Sequence, residues 1–198
     1  MIRRLAALIS PAVAVAAVIG GPGIANASTT HCLQGATSTC ITVRSSGATH
    51  FINVTGTSGN DTILFKILPP PTVHDLPSIG VTDAGGVHTF NTNIGIFLDN
   101  VITVNGVNGN DTISLAGLNS TGRIYSKATL QSGRGNSNLT ASNQGENVLI
   151  GGPGQNFLSA CNGRFGVGTV QGSGKDTAQV DDKDKVTGVT KTLPCPKV

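Results

Sequence analysis

Residues 106–113 read Gly106-Val107-Asn108-Gly109-Asn110-Asp111-Thr112-Ile113, and residues 56–63 read Gly56-Thr57-Ser58-Gly59-Asn60-Asp61-Thr62-Ile63. The match runs leftward as well. Segments 51–65 (FINVTGTSGNDTILF) and 101–115 (VITVNGVNGNDTISL) agree at eight of fifteen positions. A Gly-Asn-Asp turn between apolar, β-branched residues, repeated at a distance, is an internal repeat and sets the fold class first.

The rest of the composition agrees with strands and tight turns. There are 27 glycines, six phenylalanines, one tyrosine and no tryptophan, while Val, Ile, Thr and Asn recur throughout. Beyond the first residues, no window of helical length places apolar side chains at i, i+3, i+4 and i+7. Alternation and turn residues predict strands at 40–44, 50–54, 62–68, 87–91, 94–98 and 101–104. Shorter ones follow at 112–115, 123–126, 129–131, 138–140, 148–150 and 157–159, with a last at 187–192. Pro69-Pro70-Pro71 ends the third strand, because proline offers no N–H to a ladder, and 69–78 reads as a loop. Short strands at this regular spacing suit either a β-sandwich or a solenoid.

The turns favour the solenoid. Segments 132–140 (SGRGNSNLT), 142–150 (SNQGENVLI) and 151–159 (GGPGQNFLS) are nine-residue units with Gly fourth and an apolar residue eighth. Segment 171–179 (QGSGKDTAQ) keeps the frame, with Asp176 sixth. With 56–64 and 106–114, these units resemble the nonapeptide G-G-x-G-x-D-x-U-x of the RTX, or hemolysin-type calcium-binding repeat, family of secreted bacterial proteins. The resemblance implies an all-β parallel solenoid of the β-roll or β-helix kind, built of short strands and Gly/Asn turns; a β-sandwich is the alternative. It also implies that the eighth residues point inward. Ile63, Ile113, Leu139, Leu149 and Leu158 are therefore expected in the core, with Val54 and Val104 entering it before their turns.

In that family, turn carbonyls and the sixth-position aspartates of stacked turns supply oxygens to calcium. Here the sixth position is held by Asp61, Asp111 and Asp176, and in the tight cluster by Ser137, Asn147 and Asn156. The implied candidate calcium ligands are Asp61, Asp111, Asp176, Asn147 and Asn156. At the family's eighteen residues per coil, Asp61 would stack on Ile79 and Asp111 on Thr129, so no two aspartates would meet. The same residues also read as plain turns, in which aspartate accepts backbone N–H bonds and asparagines stack as a ladder without an ion.

Residues 1–27 read as a secretory signal peptide: Arg3 and Arg4, an apolar run from Leu5 to Ile19, then Ala25-Asn26-Ala27 before Ser28. Residues 28–198 are then one RTX-like β domain, secreted, with no second apolar run long enough for a membrane span. Cys32, Cys40, Cys161 and Cys195 imply disulfides in an exported chain. Of three possible connectivities, 32–40 with 161–195 is expected, since each bridge would clip one end of the chain.

The formal net charge is +3, and Arg3 and Arg4 carry two of those charges, so no basic stripe for nucleic acid remains. Phosphate-loop, G-x-S-x-G and H-E-x-x-H motifs are absent. The four histidines have no metal-ligand spacing. The leading expectation is a secreted, non-enzymatic solenoid with weak or vestigial calcium binding. An adhesin or module binding cell-surface or extracellular glycan through rows of Thr and Asn is the second. A polysaccharide lyase is the third, and it would need carboxylates and a base gathered on one face.

Overall fold

The computed structural model describes residues 28–32, 39–70, 72, 77–82, 89–95, 99–119, 125–161 and 168–196. The signal-peptide reading of 1–27 lies outside them. The described residues contain fourteen strands and no helix, so the chain is all-β, as its composition requires.

Strands β1 (Ser28–Cys32), β2 (Cys40–Ser46) and β3 (Thr49–Thr55) form an antiparallel meander. A second meander is built from β4 (Thr62–Leu68), β5 (Ser78–Thr82) and β6 (Thr89–Gly95). Then come β7 (Asp99–Asn105), β8 (Thr112–Gly117), β9 (Lys127–Gln131) and β10 (Asn138–Thr140). The last four are β11 (Glu146–Ile150), β12 (Phe157–Ser159), β13 (Gly168–Val180) and β14 (Lys185–Pro194). All belong to one curled mixed sheet.

The middle of that sheet is two parallel arms. One runs β3-β7-β9-β11-β13, and the other runs β4-β8-β10-β12-β13. The long strand β13 joins them: Gly168–Gln171 pairs with β11, and Thr177–Gln179 pairs with β12. Strand β14 pairs alongside β13 in parallel.

Registered rows of apolar side chains hold the two arms together. On the first arm Val54, Val104, Leu130, Leu149 and Val170 lie in one row. On the second, Ile63, Ile113, Leu139, Leu158 and Ala178 form the facing one. All ten are buried. The eighth-position residues, and the two valines before the turns, are thus core residues as the repeat frame predicted. Alternation fixes this: a strand shifted by one residue would turn its whole apolar set outward.

Both disulfides join the expected partners. Cys32 and Cys40 face each other across β1 and β2, with Cα atoms 4.0 Å apart, and Cys161 and Cys195 are separated by 5.5 Å. No free cysteine remains. Such a set belongs in an oxidising compartment.

Several local expectations change. The strands expected at 87–91 and 94–98 are one strand, Thr89–Gly95, over the described part; 87–88 and 96–98 lie outside the described residues. In the 123–126 segment, 123 and 124 lie outside them, and Tyr125 and Ser126 are not in a strand. The buried Tyr125 hydroxyl instead donates to Asn147 Oδ1 (2.6 Å) and pairs with Ser142 Oγ (2.7 Å), and burial pushes it up to about 12 against those hydrogen bonds. Unit 171–179 is not a separate turn and strand. Its turn is a bend inside β13, with Gly174 at φ 91°.

Leu149 sits inside the first row, between Leu130 and Val170, and is fully buried. Leu149→Ala should cost about 2–5 kcal/mol by chemical denaturation, as large-to-small core changes do. A loss within about 0.5 kcal/mol, the range of surface substitutions, would contradict the row.

Candidate functional site

Five equivalent six-residue segments cross between the arms: 56–61, 106–111, 132–137, 151–156 and, within β13, 171–176. They stack, and the sequence shows why they can. A Cβ on Gly109 would strike the Gly59 carbonyl oxygen, and one on Gly135 the Gly109 carbonyl oxygen. The two glycines also hold φ at 100° and 129°, where other residues are strained. At these two fourth positions glycine is therefore needed twice over, for its torsion and for the closeness of the preceding turn.

The sixth position carries a continuous ladder. The Asp61 N–H donates to Asp111 Oδ1 (3.0 Å), and the Asp111 N–H donates to Ser137 Oγ (3.0 Å). The Ser137 N–H donates to Asn156 Oδ1 (2.9 Å), and the Asn156 N–H donates to Asp176 Oδ1 (2.8 Å). At the fifth position a second ladder runs the other way. The Asn110, Asn136 and Gln155 N–H groups donate to the side-chain oxygens of Asn60, Asn110 and Asn136, each at 2.8 Å. These residues are acceptors for backbone donors that would otherwise be buried unpaired or left to water.

The structure thus brings together four of the five candidate ligands: Asp61, Asp111, Asn156 and Asp176. It corrects the spacing assumed for them. Stacked neighbours are 50, 26, 19 and 20 residues apart, not eighteen. Asp61 stacks on Asp111 rather than Ile79, and Asp111 on Ser137 rather than Thr129, because long excursions are inserted between the early turns. The fifth candidate, Asn147, is not in the stack. It lies in β11, in the inward row of Ile102 and Ala128. Its amide donates to the Ser142 and Gln144 carbonyls, and its oxygen accepts the Tyr125 hydroxyl.

The three aspartates differ in their partners. Asp61 Oδ2 accepts the Thr57 N–H (2.6 Å), and the Thr57 hydroxyl donates to both carboxylate oxygens (3.1 Å). Asp176 Oδ2 accepts the Ser173 N–H (2.7 Å), while Oδ1 takes the Asn156 N–H and side-chain amide. In Asp111, Oδ1 takes the Asp61 N–H, but Oδ2 is buried with no partner. The cause is local. Val107, the counterpart of Thr57, sits at φ 69° and donates its N–H to Asn105 Oδ1 (3.0 Å) instead. Burial pushes the Asp111 carboxyl up to about 6; the Asp61 N–H opposes this, and the negative charge of Asp61 adds to it.

Calcium takes six to eight hard oxygens. In this stack Asp111 Oδ2 is the buried side-chain oxygen left without a donor; the other carboxylate oxygens already accept N–H or O–H groups. No three His, Cys, Asp or Glu side chains converge among the described residues. The arrangement does not fit a closed calcium site. It fits a hydrogen-bonded fastener.

No family model, curated protein or solved structure matches the chain. The fifth-position ladder went unread in the sequence, although its column of Asn60, Asn110, Asn136 and Gln155 is visible once the units are aligned.

Asp111 yields a pH prediction. Its folded value of about 6 lies above its ordinary 3.8, so the folded state holds the proton more tightly than the unfolded one. Stability is then lost as pH rises from about 4 to about 6, and the penalty is complete at pH 7. Asp111→Asn keeps the Oδ1 acceptor and removes the buried charge. It should raise stability at pH 7 by about 1–3 kcal/mol, the range for an unsatisfied buried group. Thermal melts of both proteins at pH 4 and pH 7 test this. The gap should shrink at pH 4, and an equal gap at both would contradict the assignment.

Proposed function

We propose that this chain is a secreted, non-enzymatic scaffold: a parallel β-solenoid of the RTX kind, in which Asp111 and Asp176 serve as coil-to-coil hydrogen-bond acceptors and calcium binding is weak or vestigial. One observation carries the reading, namely the unbroken sixth-position ladder from Asp61 to Asp176. In a calcium-dependent array those oxygens would be offered to ions. Here backbone amides occupy nearly all of them. The two parallel arms and their turn stack support a solenoid, with β1–β2 and β5–β6 as antiparallel extensions at its N-terminal end. The disulfides and the leader-like N-terminus support export.

The lyase alternative finds no support in the stack. Asp61, Asp111 and Asp176 are buried and engaged with backbone, whereas such chemistry needs accessible carboxylates beside a base.

The test is the melting temperature with about 5 mM calcium and with excess chelator. A site with one free carboxylate oxygen falls at the weak end for extracellular modules, near 10⁻³ M. Linkage at that affinity gives about 1 kcal/mol, a shift of a few degrees in a domain this size. Unfolding on chelation would overturn the fastener reading and restore a calcium-dependent one.

A further inference from the structure

Beside the turn stack, on the outer face of the second arm, lies an open groove of about 770 Å³. Fifth positions of three successive turns bring Asn136, Gln155 and Lys175 to it, and the adjacent strands bring Asn138, Phe157 and Lys191. The strand residues form one registered row: Asn138 pairs with Phe157, Phe157 with Thr177, and Thr177 with Lys191. The groove therefore crosses the strands and presents one side chain of this row per strand, about every 4.8 Å.

Three properties of this face point the same way. None of the lining residues is acidic, and the nearby Asp176 is buried in the turn. Neither lysine pairs with a carboxylate among the described residues. Asn136 uses its side-chain oxygen for the Gln155 N–H, which leaves its NH2 group without a partner there. The face thus offers two unpaired cations, unpaired amides, the Thr177 hydroxyl and one half-buried aromatic ring.

We propose that this groove binds an acidic oligosaccharide, lying across the strands with its carboxylates toward Lys175 and Lys191 and one sugar face on Phe157. The strand repeat is close to the rise of one residue in an extended sugar polymer, so successive units can each meet one strand of the row. The volume lies within the range of small-ligand sites and holds a few sugar units. Amides and hydroxyls suit the many hydroxyls of a sugar, and an aromatic ring suits its apolar face. A nucleic-acid groove would instead track a phosphate backbone with more cations and stack several bases on several rings. The site is separate from the turn ladder and does not depend on whether calcium binds.

The experiment is a calorimetric titration of the disulfide-intact chain with tetragalacturonate, its fully methyl-esterified form, and a short single-stranded DNA. Amide NMR shifts locate the site. The acid should bind, with the largest shifts at Phe157, Thr177 and Lys191, and the ester should bind about tenfold more weakly for loss of its charge-assisted bonds. Both lysines are exposed, so Lys175→Ala/Lys191→Ala should melt like the wild type while losing about tenfold in affinity for the acid. Four outcomes would overturn the proposal: no binding of the acid, equal affinity for the ester, DNA bound as tightly as the acid, or a double variant that binds undiminished.

Discussion

The interaction on which the structure depends is the hydrogen bond from a turn amide to the side chain of the next turn. Parallel strands take care of their own backbone groups through the ladder, but the turns between them do so only in part, as where the Gly109 and Gly135 N–H groups donate to the Arg134 and Pro153 carbonyls. At the sixth position Asp61, Asp111, Ser137 and Asn156 would each leave an N–H buried between layers. Each is satisfied by a short polar side chain one turn further on. At the fifth position the donation runs backward, so adjacent residues fasten each turn to both of its neighbours. The turns thus hold the same register as the paired strands whose apolar rows face each other.

This explains which residues the stack accepts. Asp, Asn and Ser alternate freely at the sixth position because all three offer an oxygen at similar reach. Their charge is incidental to the ladder and is a burden at Asp111, where one oxygen finds no donor. Glycine at the fourth position of the middle turns is the stricter requirement, since at Gly109, Gly135 and Gly154 the preceding turn lies where a Cβ would be.

Local periodicity was legible in the sequence; long-range pairing was not. The eighth-position core residues, three strands to the residue (62–68, 138–140 and 157–159), and both disulfides follow from nine-residue frames and chain ends. Partner identity does not, because a turn's neighbour depends on how much chain is looped out between them. Asp61 and Asp111 stack across 50 residues, and no local signal states that length. Segment 142–150 shows the limit of the frame. It matches the repeat as well as its neighbours do, but Asn147 faces inward from a strand because Tyr125, supplied from outside the unit, meets it there. The groove residues come from three turns and four strands, and only the fold puts Phe157 near Lys175 and Lys191.

Hydrogen exchange at individual turn amides addresses the ladder most directly, because it reads each donor separately. The Asp61, Asp111, Ser137 and Asn156 amides should exchange as slowly as those of the buried strands, since opening any of them means separating two layers. In Ser137→Ala, which removes the acceptor for Asp111, protection should fall at Asp111 and persist at Asn156. Rapid exchange at all four in the native chain, at the rate of exposed loops, would mean that the turns are not fastened to one another and that the account is wrong.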